Sequence, residues 1–335
     1  MQQKNDNSTG YQTQTGENNT NFIGGEHQHN YPQPDAPLVG TPSNLPLSGV
    51  VKFVGREEEL KVVDQKLQAT ATVTISSVSG MGGVGKTELA LQYAYGKLQS
   101  AAYPGGICWV NARAQDVGTE ILIFARVQLG LPEPPKTLKT VPEQVQWVCG
   151  RWQGEPILLV LDDVVEYGAV QPYLQALDRR FRVLMTTRLT LGTPAQRLEL
   201  EVLSEAAALE LLRSLLDDPE RVNSQFADAQ TLCKWLGYLP LALELVGRYL
   251  AKKRDLSLAE LLRRLQDDKL GARALVQRTA EMTAPLGVAA AFELSWAELP
   301  PPTRQLCSLL GIFALAPIAW ELVQQCLPEW ETEDL

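Results

Sequence analysis

Histidine is almost absent from this 335-residue chain; the only two are His27 and His29. A histidine triad or a His-rich metal site beyond residue 29 is thereby excluded. Cysteine is scarce too. The five thiols, Cys108, Cys149, Cys233, Cys307 and Cys326, include no CxxC pair. They are too few for a disulfide scaffold and fit a reducing compartment, the cytoplasm. Long hydrophobic runs are missing. The longest apolar stretch, Leu309 to Trp320, contains Pro317 and is too short to span a bilayer. The polar N-terminus has no apolar core of a secretory signal. Positive charge is in deficit: 30 Lys and Arg stand against 39 Asp and Glu, a net charge of −9. That balance argues against a nucleic-acid coat and against a polybasic membrane anchor. No internal repeat of about 20–50 residues is found.

What is present is an ordinary globular composition, 45% hydrophobic and 21% charged, in a length that suits about two domains. Residues 1–48 differ from the rest. They are rich in Asn, Gln, Thr, Gly and Pro and poor in Leu, Ile and Val, so they bury too little apolar surface to offset ordering entropy, and a disordered tail is expected. Within it, Tyr11 to Gly25 combines Gln, Asn and Thr with little charge and no proline, a composition suited to stacked side-chain ladders. Order is expected from about Val50. Leu60, Val63 and Leu67 follow helical spacing behind an acidic first turn.

From residue 72 strands and helices alternate. Strands are expected at Thr72 to Gly80, Ile107 to Ala112, Ile157 to Val164, Arg182 to Arg188 and Arg197 to Leu203. The alternation implies a three-layer α/β domain with a parallel sheet. The unbroken apolar run Ile157 to Leu161 suits a strand buried on both faces. Beyond about residue 203 only helical patterns continue, beginning at the N-cap candidate Ser204.

The chemistry concentrates in Gly80-Met81-Gly82-Gly83-Val84-Gly85-Lys86-Thr87, followed by Glu88. This is the GxxxxGK[ST] pattern between a strand and a helix. Glycines let backbone N–H groups curl around a phosphate, and the following helix adds its positive end. Lys86 is placed to reach β- and γ-phosphates, and the Thr87 hydroxyl to ligate Mg²⁺. Asp162 and Asp163 end the strand ILLVL at the edge where open α/β sheets bind ligands. Asp162 is the candidate Mg²⁺ partner. Asp163 is the candidate for orienting an attacking water. Arg188 ends the next apolar strand and is placed to distinguish ATP from ADP at the γ-phosphate. No guanine-reading NKxD tetrad is suitably placed, which favours adenine.

Together these segments resemble the NB-ARC group of signal-transduction ATPases. GMGGVGKT is similar to the group's phosphate loop, ILLVLDDV to its Walker B strand, and MTTR to its sensor motif. Gly237-Tyr238-Leu239-Pro240-Leu241 resembles its GLPL motif, and Val54-Gly55-Arg56 its adenine-pocket segment. The resemblance implies a P-loop NTPase domain at 49–203, a helical domain at 204–283 and the start of a winged-helix domain at 284–335, apparently truncated. It implies that Pro240 packs on adenine and that the backbone of Val54, Gly55 and Arg56 reads the base edge. It further implies an ATP/ADP switch that self-associates when ATP-bound, hydrolyses slowly with Mg²⁺ and signals to an effector. The tail at 1–48 is similar to short amyloid-signalling motifs and is a candidate effector contact. The group's histidine late in the winged helix has no counterpart here, which puts tight ADP locking in question. Two other readings are a winged-helix transcriptional regulator, which the acidic balance disfavours, and a non-hydrolysing scaffold, which the intact Lys86, Thr87, Asp162 and Asp163 disfavour.

Overall fold

The computed structural model describes residues 40–77, 82–113, 116–189, 196–272, 283–313 and 318–326. The expected tail, up to residue 39, lies outside the described residues, as do Gly80 and Met81. Helix α1 (Glu57–Ala69) leads into strand β1 (Thr72–Ser77) and α2 (Lys86–Gln99). Then follow β2 (Ile107–Asn111), α3 (Val117–Val127), α4 (Val141–Cys149), β3 (Ile157–Val164), α5 (Tyr167–Leu174), β4 (Phe181–Thr187) and β5 (Gln196–Leu200). The strands form one sheet in the order β2-β3-β4-β1-β5, and every pairing is parallel.

The sheet is buried on both faces. Along β3, Leu158 and Val160 join a core that includes Val63 and Leu67 of α1 and Leu89 of α2. Ile157, Leu159 and Leu161 point the other way, into a core with Ile121 of α3, Val145 of α4 and Val170 of α5. Period-two side-chain alternation thus feeds two helix layers from one apolar run. Each fully buried Leu or Ile contributes about 1.5–3 kcal/mol. This is the P-loop NTPase architecture that the alternation and glycine loop predicted.

Helices follow: α6 (Glu205–Leu215), α7 (Glu220–Ser224), α8 (Phe226–Trp235), α9 (Pro240–Lys252) and α10 (Leu258–Ala272). Ser204 caps α6 by accepting the Ala207 N–H, the role its side chain suits. The turn from α8 to α9 follows from Gly237 and Pro240. The N–H groups of Gly237 and Tyr238 return to the carbonyls of Lys234 and Cys233, with Gly237 at φ +66°. That is a Schellman ending, and Pro240 at the first position of the next helix loses no bond by lacking an N–H. Leu209 and Leu212 of α6 and Leu243 and Val246 of α9 join the core on the α1/α2 side of the sheet. Helices α11 (Thr283–Glu298), α12 (Pro301–Leu310) and α13 (Trp320–Cys326) come last, and α11 packs on α9 and α10. Among the described residues of 284–335 there are helices and no strand.

Composition placed residues up to 48 in the tail; the structure places 40–48 on the domain. Ser43 bridges Ile107. The Asn44 side chain accepts from the Trp109 N–H and donates to the Trp109 carbonyl, at 2.7 and 2.9 Å. Its amide imitates a strand partner for the edge of β2. The segment continues across α2, where Tyr95 donates to the Pro46 carbonyl and Ser48 to Glu88. It then meets the helical lobe, where Arg248 donates to the Gly49 carbonyl and Lys52 pairs with Glu210.

Candidate functional site

The glycine loop opens α2 at the C-terminal edge of β1. Gly85, at φ +100°, precedes Lys86, the first helical residue. Gly83 is at φ +78°, and a Cβ there would lie 2.8 Å from the Leu241 Cβ. Both positions therefore require glycine, one for its backbone and one for backbone and space. Leu241, the second residue of α9, donates its N–H to the Gly83 carbonyl at 3.2 Å. The helical lobe thus touches the phosphate loop directly.

Between them lies a pocket of about 310 Å³ with two kinds of wall. Val50, Phe53, Val54, Leu203, Leu211, Leu215 and Pro240 make it apolar; Gly82 to Glu88, Asp163, Thr186 and Arg188 make it polar. An apolar surface beside a cation-lined glycine loop suits a flat base joined to a phosphate chain.

Lys86 is buried, and burial first, then the nearby Arg188 charge, pushes its pKa below the ordinary lysine value. An anion in the pocket would offset both effects. Asp162, 7% exposed, accepts from Thr87 Oγ1 at 2.8 Å and Thr186 Oγ1 at 2.6 Å, both on Oδ1. Burial raises its pKa, opposed by those two hydroxyl bonds. Among the described residues no cluster of three or more His, Cys, Asp or Glu could hold a metal ion. A hydroxyl and a carboxylate 2.8 Å apart beside a phosphate loop nevertheless fit Mg²⁺, which takes few protein oxygens and completes its shell with phosphate and water. Thr87 and Asp162 would hold it, and it would neutralise phosphate charge.

Asp163 sits differently from its neighbour. The β3–β4 register slips between Leu161 and Val164, and Asp163 takes φ +55°. A bulge of this kind re-aims a side chain beside an active site. Its carboxylate meets Arg113, from Nε at 2.5 Å and Nη2 at 3.3 Å. That bond raises the Arg113 pKa. Arg188 Nε stands 3.9 Å from Asp163, and its guanidinium faces Gly82, where a Cβ would lie 3.6 Å from Nη1.

In the Val54–Arg56 segment, Arg56 directly precedes α1 and is 5% exposed. It donates to the carbonyls of Glu201 and Val84 and pairs with Glu59. Val54 and Arg56 line the pocket, while Gly55, at φ +64°, abuts Ala207 of α6. Glu88 lines the pocket with its carboxylate held by Ser48 and Gln92. Arg113 and the segment 50–53 escaped the sequence reading, and Leu241 was read only as the last residue of the GLPL-like segment, with no contact to the glycine loop. Arg113 had a visible signal, a cation just past the apolar strand ICWVN, the same cue that singled out Arg188.

A model of the NB-ARC domain matches residues 56–218. The regulatory protein AfsR of Streptomyces coelicolor is 28% identical over 318 residues, 88% of this chain and 30% of that protein. AfsR of Streptomyces griseus is 30% identical over 284 residues, covering 81% and 27%. A putative disease resistance RPP13-like protein 3 of Arabidopsis thaliana is 27% identical over 241 residues, covering 65% and 28%. The chain spans less than a third of the length of each of these relatives.

Proposed function

Because residues 56–218 make this chain a member of the NB-ARC family, we propose that it is an adenine-nucleotide switch. ADP with Mg²⁺ holds the helical lobe on the phosphate loop. Exchange for ATP favours an opened form that self-associates and signals to an effector. Lys86, Thr87 and Asp162 bind the phosphates and metal, Arg188 reads the γ-phosphate, and Asp163 orients water for slow hydrolysis. The apolar wall, with Pro240 and Val54, takes the base. A nucleotide shifts such an equilibrium only through different affinities for the two forms.

The observation that carries the reading is the pocket shared by both lobes, with Leu241 bonded to Gly83. Its occupant touches loop and lobe together, so it can bias how they sit. The relatives described as regulatory and disease-resistance proteins accord with a signalling role. The tail up to residue 39 is the candidate effector contact in this scheme. The test is to purify the chain without added nucleotide, denature it and identify what is released. Stoichiometric ADP is the expected result. A chain that carries no nucleotide and binds neither ATP nor ADP refutes the switch.

A further inference from the structure

The Asp163 carboxylate has two arginines beside it and is hydrogen-bonded by one. Arg113 holds it with both arms of a guanidinium fork, at 2.5 and 3.3 Å. Arg188 stops at 3.9 Å, outside hydrogen-bond range. The geometry follows from the sheet. Strand β3 lies between β2 and β4, Arg113 follows the end of β2, and Arg188 follows the end of β4. The two cations therefore flank the carboxylate from neighbouring strands. The bulge and the left-handed backbone at Asp163 set the carboxylate where both reach it. A carboxylate filled by a bidentate fork offers little to a second cation. Arg188, half exposed, is left over the phosphate loop at Gly82.

We propose that Arg113 is a positioning residue: by occupying Asp163 it keeps Arg188 facing the phosphate loop, and so sets the preference for a nucleoside triphosphate over a diphosphate. The inference rests on the nucleotide-switch reading. Without Arg113, the carboxylate's nearest remaining arginine is Arg188, and a shift of about 1 Å brings that pair into hydrogen-bond range. Arg188 paired in this way brings no net charge to a γ-phosphate. The diphosphate, which lacks that group, is bound as before.

The test is calorimetric titration of the full chain with ADP and with a non-hydrolysable ATP analogue, each with Mg²⁺. Arg113→Ala is expected to lower the analogue-to-ADP affinity ratio about tenfold, the scale of one charge-assisted contact, with ADP affinity unchanged. Arg113→Lys should fall between. Adding Asp163→Asn to Arg113→Ala should restore the ratio, because the amide no longer draws Arg188 away. In an Arg188→Ala background, Arg113→Ala should change nothing further. An unchanged ratio in Arg113→Ala overturns the inference, and so does a loss that Asp163→Asn leaves in place, since a general structural defect is not relieved by a second substitution. If Arg188→Ala lowers the ratio and Arg113→Ala does not, this inference alone fails. If the unmodified chain binds neither nucleotide, the switch reading fails first.

Discussion

A methyl group placed at Gly55 would measure how tightly the Val54–Arg56 segment is seated on the helical lobe. Its Cβ would stand 2.3 Å from the Ala207 Cβ, against the roughly 3.5–4.0 Å of ordinary carbon contact. Ala207 is 6% exposed and lies in the first turn of α6, its N–H held by Ser204, so it has little room to retreat. Alanine at φ +64° also carries a left-handed backbone cost of about 1–2 kcal/mol. Overpacking adds about 1–3 kcal/mol. Gly55→Ala should therefore destabilise the protein by about 2–5 kcal/mol. Ala207→Gly alone should cost about 1–2 kcal/mol, from helix propensity and a lost buried methyl. Together they relieve one another, because the next atom facing the new methyl is the Ala207 Cα at 3.6 Å. Urea denaturation followed by tryptophan fluorescence should show the double variant more stable than additivity predicts by about 1–3 kcal/mol. Additivity within about 0.5 kcal/mol would refute the packing of this segment on α6.

Three further outcomes are expected. Lys86→Ala should weaken binding of ADP and ATP by about 1.5–3 kcal/mol through loss of a charge-assisted contact; equal affinities in titration would remove Lys86 from the phosphate site. Asp163→Asn should leave nucleotide affinity intact and suppress phosphate release; unchanged turnover would take Asp163 out of the hydrolytic step. Burial pushes the thiols of Cys149 and Cys233 up to about 12 and raises Cys108 as well. At pH 8 a thiol with that pKa is about one part in ten thousand thiolate, so a maleimide should label exposed Cys326 first and the three buried sites only on denaturation. Rapid native labelling at Cys108, Cys149 or Cys233 would contradict the described core.

The legible parts of this protein were those whose determinants are local. The apolar run Ile157 to Leu161 needs only its own composition to become a doubly buried strand. Ser204 announces its helix. Gly80 to Thr87 carries its chemistry in one continuous segment. What stayed hidden depends on partners far along the chain. Arg113 meets Asp163 across 50 residues. Arg56 turns inward because the carbonyls of Glu201 and Val84 wait for it. Residues 40–48 look like tail because they are polar, yet Asn44 uses that polarity to complete β2 at Trp109. The bulge at Asp163 is written in no single residue type, since it arises from the pairing of β3 with β4.

Two consecutive carbonyls of the phosphate loop are held by donors from outside it: Gly83 by the Leu241 amide and Val84 by the Arg56 guanidinium. In a trans peptide the carbonyl and the following N–H point in opposite directions. Anchoring the two oxygens therefore orients the N–H groups of Val84 and Gly85 away from α9 and from Arg56. These amides are aimed before any anion arrives, so their rotational entropy has already been spent in folding. One of the two anchors belongs to the helical lobe. Swinging that lobe aside would release the Gly83–Val84 peptide plane, and the loop would lose directional order without losing a single residue that contacts phosphate.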